Sequence, residues 1–477
     1  MMRTLFLNPP SYGGFDGSAG SRYQARREIR SFWYPTWLAY PAGMLPGSRL
    51  LDAPPMDMGV EDVVRAAEGF DLVVVHTSTP TLGNDASVAE RLKQEYPHIR
   101  VGFVGPHAIM RPDETLSVSS ALDFVATGEY EYTVKEVAEG VPLERVQGLA
   151  FRKGGRIERT ADRPPVEDLD ALPFVTDVYA RDLRIEDYFI GYLEHPYLSF
   201  YTGRGCRSRC TFCLWPQTIG GRVYRVRSPG NVYDEVALGR KLFPQVRELF
   251  FDDDTFTGDF ARAEEIARRV GKLGITWSCN ARATVPRSTL GKLKDSGLRL
   301  LVVGFESGNQ QILNNVKKGI TLEQARRFVR DCHDLGILIH GTFILGLPGE
   351  TPETIEQTIR FARDIDPWSL QVSLAAPYPG TELYEQALRE GWLKEEGDRL
   401  VRQGIQVSAL SYPGLPREEI FEAVERFYRR FYLRPKPILR ILGDMLQDRE
   451  VFRRRIREGR EFFSFMAKRK ETSKCQP

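Results

Sequence analysis

The sequence predicts an α/β protein in three parts: an N-terminal Rossmann-like domain, a central parallel (β/α) barrel, partial or full, and a C-terminal helical extension. Three observations carry this reading. Short β-branched and apolar runs alternate with stretches of helical spacing, first over residues 1–140 and again from 196 to 400. An acidic, proline-punctuated segment separates the two series. After residue 400 the chain turns helical and basic. A length of 477 residues is too great for one ordinary domain and suits two or three units.

In the first series the strand candidates are residues 4–7, 49–52, 72–76, 100–104 and 123–126. Between the third and fourth, Val88, Ala89, Leu92 and Tyr96 repeat at helical spacing. Such alternation builds a doubly wound sheet, whose ligands sit beyond the carboxyl ends of the strands. Those ends carry Asn8-Pro9-Pro10, Thr77-Ser78-Thr79, Gly105-Pro106-His107 and Gly128-Glu129. Residues 141–195 read as a connector, with a hairpin turned by Gly154-Gly155 and a linker over 164–173. The second series has strand candidates at 197–201, 248–251, 276–281, 300–305, 338–345 and 369–375, and six strand–helix units suit a parallel barrel. Residues 401–477 form the extension.

A hydrophobic content of 42% with 27% charged residues belongs to a globular protein, not a disordered one. No segment approaches the ~20 consecutive apolar residues of a membrane-spanning helix. The opening MMRTLFLNPP is too short for a secretory signal, so a cytoplasmic protein is expected. Six cysteines in this length make no disulfide framework. Cys279, Cys332 and Cys475 are solitary, and the first two read as small core residues. Cys206, Cys210 and Cys213 are clustered, which points to a metal.

They lie in Gly203-Arg204-Gly205-Cys206-Arg207-Ser208-Arg209-Cys210-Thr211-Phe212-Cys213, directly after the first barrel strand, at the end where barrel loops gather catalytic groups. Three thiolates can hold three irons of a cubane and leave the fourth open to a small chelating ligand. Arg204, Arg207 and Arg209 are expected to favour deprotonated sulfur. Zinc normally takes four ligands, and His195, upstream of the strand, is the sole neighbouring candidate.

This CxxxCxΦC spacing, with Phe212 before the last cysteine, resembles the radical S-adenosylmethionine (SAM) superfamily. The resemblance implies a partial barrel with a [4Fe–4S] cluster on Cys206, Cys210 and Cys213, and SAM contacts at Phe212 and on the strands that follow. Phe251-Asp252-Asp253-Asp254-Thr255-Phe256 resembles the FxDDxF variant found where many members have Gly-Gly-Glu, and assigns Asp253 and Asp254 to the methionyl ammonium. Trp277-Ser278-Cys279-Asn280-Ala281-Arg282 resembles the third-strand segment whose arginine, here Arg282, meets the SAM carboxylate. Period-two alternation puts Ser278, Asn280 and Arg282 on one face and Cys279 on the other. Gly304-Phe305-Glu306-Ser307-Gly308 resembles the fourth-strand motif, giving Glu306 and Ser307 to the ribose and methionine ends. Gly346-Leu347-Pro348-Gly349-Glu350 resembles the fifth-strand form against which adenine packs, giving Gly346 and Pro348.

The leading Rossmann-like domain, Asp168-Leu169-Asp170-Ala171-Leu172-Pro173 and Pro377-Tyr378-Pro379-Gly380-Thr381 resemble the branch with an N-terminal cobalamin-binding domain. The DxHxxG loop that supplies a histidine to cobalt elsewhere is absent, which leaves cobalamin use open. At a finer level, residues 8–10, 15–17 and 19–37, with Asp52-Ala53-Pro54-Pro55, resemble the HpnJ family of hopanoid-biosynthesis-associated radical SAM proteins. That resemblance implies hydrogen abstraction from a lipid-linked sugar, with conversion of bacteriohopanetetrol glucosamine to its cyclitol ether, and a reductant such as flavodoxin or ferredoxin.

From the residues themselves, Arg22, Arg26, Arg27 and Arg30 interleaved with Tyr23, Phe32, Trp33, Tyr34 and Trp37 form either an interdomain packing element or a sugar-stacking surface at the barrel mouth. His340, Thr342, Gln371 and Ser373 alternate with apolar neighbours and are candidates to hold the sugar, or a polar core. Alternative functions are a cobalamin-dependent radical SAM methyltransferase on another lipid or natural product, an RNA-modifying enzyme, and a cluster-bearing scaffold. No nucleic-acid module is recognisable, so no nucleic-acid partner is expected. Residues 429–470 hold fourteen Lys or Arg against five Asp or Glu, interspersed with apolar side chains, which is compatible with peripheral contact to an anionic membrane or with a tail packed on the barrel.

Overall fold

The computed structural model describes residues 1–12, 25–393, 400–446 and 449–474; Cys475 and the whole segment from 13 to 24, with Arg22 and Tyr23, lie outside these. Two mainly parallel sheets dominate. The first contains β1 (Thr4–Asn8), β2 (Arg49–Asp52), β3 (Leu72–His76), β4 (Arg100–Val104), β5 (Phe124–Ala126), β6 (Leu149–Lys153) and β7 (Arg156–Arg159), in the order β2-β1-β3-β4-β5-β6-β7. β1 to β5 pair in parallel, while β6 and β7 add antiparallel. Period-two geometry divides each central strand between two cores. Leu5, Leu7, Val73 and Val75 face a cluster that includes Val64 and Leu92 of the helices Val60–Ala66 and Leu82–Glu95. Phe6, Leu72 and Val74 face the opposite cluster, with Trp37, Leu38 and Val137. Helices on both faces explain why β1 and β3 are buried along their whole length and apolar at their central positions.

The hairpin placed in the connector by sequence belongs instead to this sheet, with Phe124 opposite Phe151. Without it the outer edge of β5 would present unpaired backbone groups, and the next available segment of chain covers it.

The second sheet contains β8 (Tyr197–Phe200), β11 (Glu248–Phe251), β12 (Thr276–Ala281), β13 (Leu298–Glu306), β14 (Leu338–Leu345) and β15 (Ser369–Leu374), all parallel and in sequence order, with β8 and β15 as its edges. A short antiparallel ribbon, β9 (Gly203–Arg204) with β10 (Arg225–Val226), precedes β11. The helices that return the chain start at good caps: Ser228, Asp259, Thr321 and Thr351 each accept a hydrogen bond from the backbone of the turn they open. This is a six-stranded open barrel.

The division placed at residue 400 does not follow the packing. The Gln406 side chain accepts from Leu374 N at 2.8 Å and donates to Leu374 O at 3.0 Å, completing the edge of β15. Helix Arg417–Tyr432 lies on β14 and β15, where Val372 N donates to Tyr428 Oη at 2.9 Å. Residues 401–432 close the open side of the barrel, and the extension proper is the helix pair Pro435–Met445 and Arg449–Lys474. Among the described residues no helix is long and apolar enough to cross a membrane.

The aromatic stretch near the N-terminus forms the seam between the sheets. Tyr34 stacks on Tyr188 at 4.0 Å and donates to Tyr197 O at 2.7 Å, and Tyr197 Oη donates back to Phe32 O at 2.9 Å. Trp37 stacks on Trp215 with centroids 6.0 Å apart.

Candidate active site

A cavity of about 330 Å³ opens at the carboxyl end of the barrel strands, and Cys206, Cys210 and Cys213 all line it. The loop that carries them is held by its own backbone. Cys206 N donates to Gly221 O at 3.2 Å, Thr211 N to Val316 O at 3.1 Å, and Gln217 Nε2 to Cys213 O at 2.6 Å. Gly205 has φ +86°, and a Cβ there would stand 2.3 Å from Val223 O, so only glycine lets the loop lie against residues 220–223. Among the described residues no three His, Cys, Asp or Glu are gathered as one metal ion requires. A cubane asks instead for thiolates spread over three irons, and three cysteines on one cavity wall fit that demand.

Arg204 does not act on the thiols as expected. It is buried, with Nη2 2.6 Å from Glu131 Oε1 and Nη1 3.5 Å from Glu129 Oε2, between the rings of Trp37 and Tyr40. Arg225 also grips Glu129, with Nη1 donating to Oε2 at 2.9 Å. Two acidic residues at the edge of the first sheet therefore neutralise the arginine beside the cluster loop and tie the two sheets together.

Four of the sequence-assigned SAM residues line the cavity: Phe212, Asp254, Arg282 and Glu306. Glu306 adopts φ +64° at a break in the β13–β14 register, and Gly304 makes room for it, since a Cβ there would meet Glu306 Oε1 at 2.2 Å. Its carboxylate accepts from Lys318 Nζ at 2.6 Å. Burial pulls the Lys318 pKa down, but the Glu306 carboxylate and the Cys210 charge together raise it. Arg282 donates to Ser208 Oγ at 2.6 Å and to Lys318 O at 2.6 Å, joining the cluster loop to this pair.

The other four do not line it. Asp253 turns inward, accepting from Thr202 N at 2.5 Å and Thr202 Oγ1 at 2.6 Å, and burial raises its pKa. Asp252 and Asp254 face the cavity in its place, with Asn280 Nδ2 donating to Asp252 Oδ1 at 2.8 Å. Ser307 is buried 3.1 Å from Thr358 Oγ1, where it shapes the turn after β13. Gly346 packs against Ile420 and donates to Glu350 Oε2 at 2.6 Å, while Pro348 O accepts from Asn315 Nδ2 at 3.0 Å. The β14 residues that reach the cavity are His340, Thr342, Phe343 and Ile344. Sequence reasoning missed Lys318, Asp252 and Ser208 as cavity residues. Asn280 was visible, since alternation puts it on the face of Arg282. Cys279 is fully buried beside Trp277 and Ala281, and burial drives its thiol pKa well up, as it also does for Cys332.

His340, Thr342, Gln371 and Ser373 form another wall of the same cavity. His340 Nδ1 lies 2.8 Å from Ser369 Oγ and its ring stacks on Tyr192 at 4.2 Å, while its Nε2 and the Nε2 of Gln371 are buried with no hydrogen-bond partner among the described residues. Burial, then the Arg27 charge, pulls the His340 pKa down to about 3, so its ring is neutral. Arg27 lies over the Trp33 ring at 4.5 Å, and both residues line the cavity. The aromatic–arginine stretch thus supplies both an interdomain seam and a cavity wall.

At the carboxyl edge of the first sheet, His76 Nε2 is buried with no hydrogen-bond partner among the described residues, and a Cβ on Gly105 would meet Thr77 O at 2.3 Å. Burial lowers the His76 pKa to about 4. A neutral, unsatisfied ring nitrogen at a ligand-binding sheet edge fits a large polar cofactor such as cobalamin. Helix Pro106–Met110 carries this edge to the barrel rim, with Met110 against Gly380 and Arg111 Nη2 3.1 Å from Tyr384 Oη.

Residues 200–362 match the model of the radical SAM superfamily and residues 25–138 that of the B12 binding domain. An uncharacterized methyltransferase of Pyrococcus horikoshii is 28% identical over 92% of this chain and 94% of its own. The anaerobic magnesium-protoporphyrin IX monomethyl ester cyclase of Rubrivivax gelatinosus is 26% identical over 91% of this chain and 78% of its own. In fold, the chain is similar to the radical SAM methyltransferase TsrM from Kitasatospora setae, solved with cobalamin and a [4Fe–4S] cluster, at a TM-score of 0.68 and 18% identity over 99% of this chain and all of that one. The chain thus joins a B12-binding domain, residues 25–138, to a radical SAM domain, residues 200–362, with a [4Fe–4S] cluster, SAM and cobalamin as its cofactors.

Proposed function

We propose that the chain is a methyltransferase acting on the oxygen-rich head of a lipid-linked substrate, with the cluster on Cys206, Cys210 and Cys213. The observation that carries this reading is the approach of the B12-binding sheet edge to the barrel mouth through residues 106–111. The relatives named as methyltransferases support it. When bound, the cofactors supply radical chemistry at SAM and a methyl carrier at cobalamin. The chain's own residues bind and orient. Arg282 and the Glu306–Lys318 pair offer charge-assisted contacts to the carboxylate, hydroxyls and ammonium of SAM. Phe212, Phe343 and Trp215 exclude water from the cavity. Neutral His340 and Gln371 present unsatisfied polar atoms to substrate oxygen, and the ring of Trp33 offers an apolar face of the kind sugars stack on.

Incubation under anaerobic conditions with SAM carrying a deuterated methyl group tests this reading. Label should enter the lipid product, with S-adenosylhomocysteine formed. A second reading is ring contraction of bacteriohopanetetrol glucosamine to the cyclitol ether, which the resemblance to the HpnJ family implies. A relative named for cyclisation rather than methyl transfer favours it. It requires an unlabelled product of bacteriohopanetetrol glucosamine and no S-adenosylhomocysteine.

A further inference from the structure

The helix pair after residue 432 packs incompletely. In Pro435–Met445 only Pro437 is buried, while Ile438, Leu439, Leu442 and, just beyond it, Leu446 are exposed, Leu446 at 87%. At 3.6 residues per turn these four fall within an arc of about 100°. In Arg449–Lys474, Phe452, Ile456 and Phe463 are also exposed, Phe463 at 66%, and share an arc of about 40°.

The charge is sorted as well. Arg434, Lys436 and Arg440 converge on Asp366, and Arg455 bridges Asp444 and Glu458, so the side facing the barrel is neutralised by carboxylates. Arg449, Arg453 and Arg460 are exposed, and among the described residues no carboxylate pairs with them. They lie about 40–80° around the helix from the middle of the apolar line of Phe452, Ile456 and Phe463. An apolar stripe bordered by cations is the arrangement that sits at the interface of an anionic bilayer, with apolar side chains below the headgroups and cations among the phosphates.

We propose that this helix pair docks the enzyme on the surface of an anionic phospholipid membrane. A protein partner covering the stripe would need no cations along its border. The inference does not depend on which reaction the barrel performs.

Flotation of the anaerobically reconstituted, full-length holoenzyme with vesicles of phosphatidylcholine containing phosphatidylglycerol tests it. The wild type should float with these vesicles, at least tenfold less with pure phosphatidylcholine, and progressively less as salt rises. The combined variant Leu439→Ser, Leu442→Ser, Leu446→Ser and Phe463→Ser should lose flotation by a similar factor, and so should Arg449→Glu with Arg453→Glu and Arg460→Glu. All seven side chains are exposed, and an unchanged melting temperature establishes that the variants fold. Equal flotation of wild type and variants overturns the proposal, as does failure of the wild type to bind. It also fails if the wild type is a dimer that the serine variant converts to a monomer, because a second copy would then cover the stripe.

Discussion

Arg204 and Glu131 form a buried ion pair, 2.6 Å between Nη2 and Oε1, that joins the loop of Cys206 to the B12-binding domain. Both side chains are almost wholly withdrawn from water, and the Trp37 and Tyr40 rings flank the guanidinium. Removing one partner strands the other charge in a low-dielectric seam, a change that typically costs about 3–5 kcal/mol. Arg204→Met is expected to lower the denaturation midpoint strongly and to loosen the cluster loop. Denaturant unfolding of the holoprotein followed by iron absorbance measures both. A midpoint equal to wild type would show that the pair does not hold the domains.

Replacing Cys206, Cys210 or Cys213 by Ala should abolish SAM cleavage, whereas Cys279→Ala and Cys332→Ala should leave it in place, because their thiols are buried and protonated. Cys475→Ala should also be silent. Activity retained in any of the first three variants would remove the cluster from this loop.

Glu306→Gln and Arg282→Ala should each weaken SAM binding by about 1.5–3 kcal/mol, the usual loss for a hydrogen bond to a charged group, with the cluster spectrum intact. Asp253→Asn is expected to act differently. Its carboxyl bonds Thr202 and not the cavity, so stability should fall while SAM affinity stays near wild type. Calorimetric titration of SAM into each reconstituted variant separates the two behaviours.

The strands of both sheets were legible because each is a short apolar or β-branched run bounded by polar turns. Alternation along β12 gave Asn280 and Cys279 their opposite faces correctly. It could not choose among Asp252, Asp253 and Asp254, because β11 ends at Phe251 and period-two geometry ends with it. Nor could it show that Arg204 is neutralised, since Glu129 and Glu131 come from the other domain and no local pattern links them. Helix Arg417–Tyr432 was visible as a helix, but its role in closing the barrel rests on Tyr428 and Gln406 meeting the edge of β15, a tertiary fact.

Stability should also fall as pH rises from about 4 towards about 7. Asp52 is buried, accepting from Asn8 Nδ2 at 2.6 Å and Tyr188 Oη at 2.7 Å, and burial pushes its pKa up to about 7 against the pull of those bonds. The folded state keeps the proton that the unfolded chain releases near pH 4. The contribution is therefore complete below about pH 4 and is lost as pH climbs to about 7, at roughly 1.4 kcal/mol per unit. Asp85, also raised to about 7 by burial, adds to the same slope. Asp52→Asn, which mimics the protonated acid, should flatten the decline in melting temperature between pH 5 and 7.5. An unchanged slope would place the effect elsewhere.

Anaerobic reconstitution of the full-length chain with iron, sulfide and hydroxocobalamin, followed by gel filtration and quantification of both metals, tests cobalamin dependence without needing the substrate. About four irons and about one cobalt per chain are expected, with cobalamin lost and iron retained when Gly105→Val fills the space against Thr77 O. Retention of iron with no cobalamin in the wild-type protein would contradict a B12-dependent enzyme.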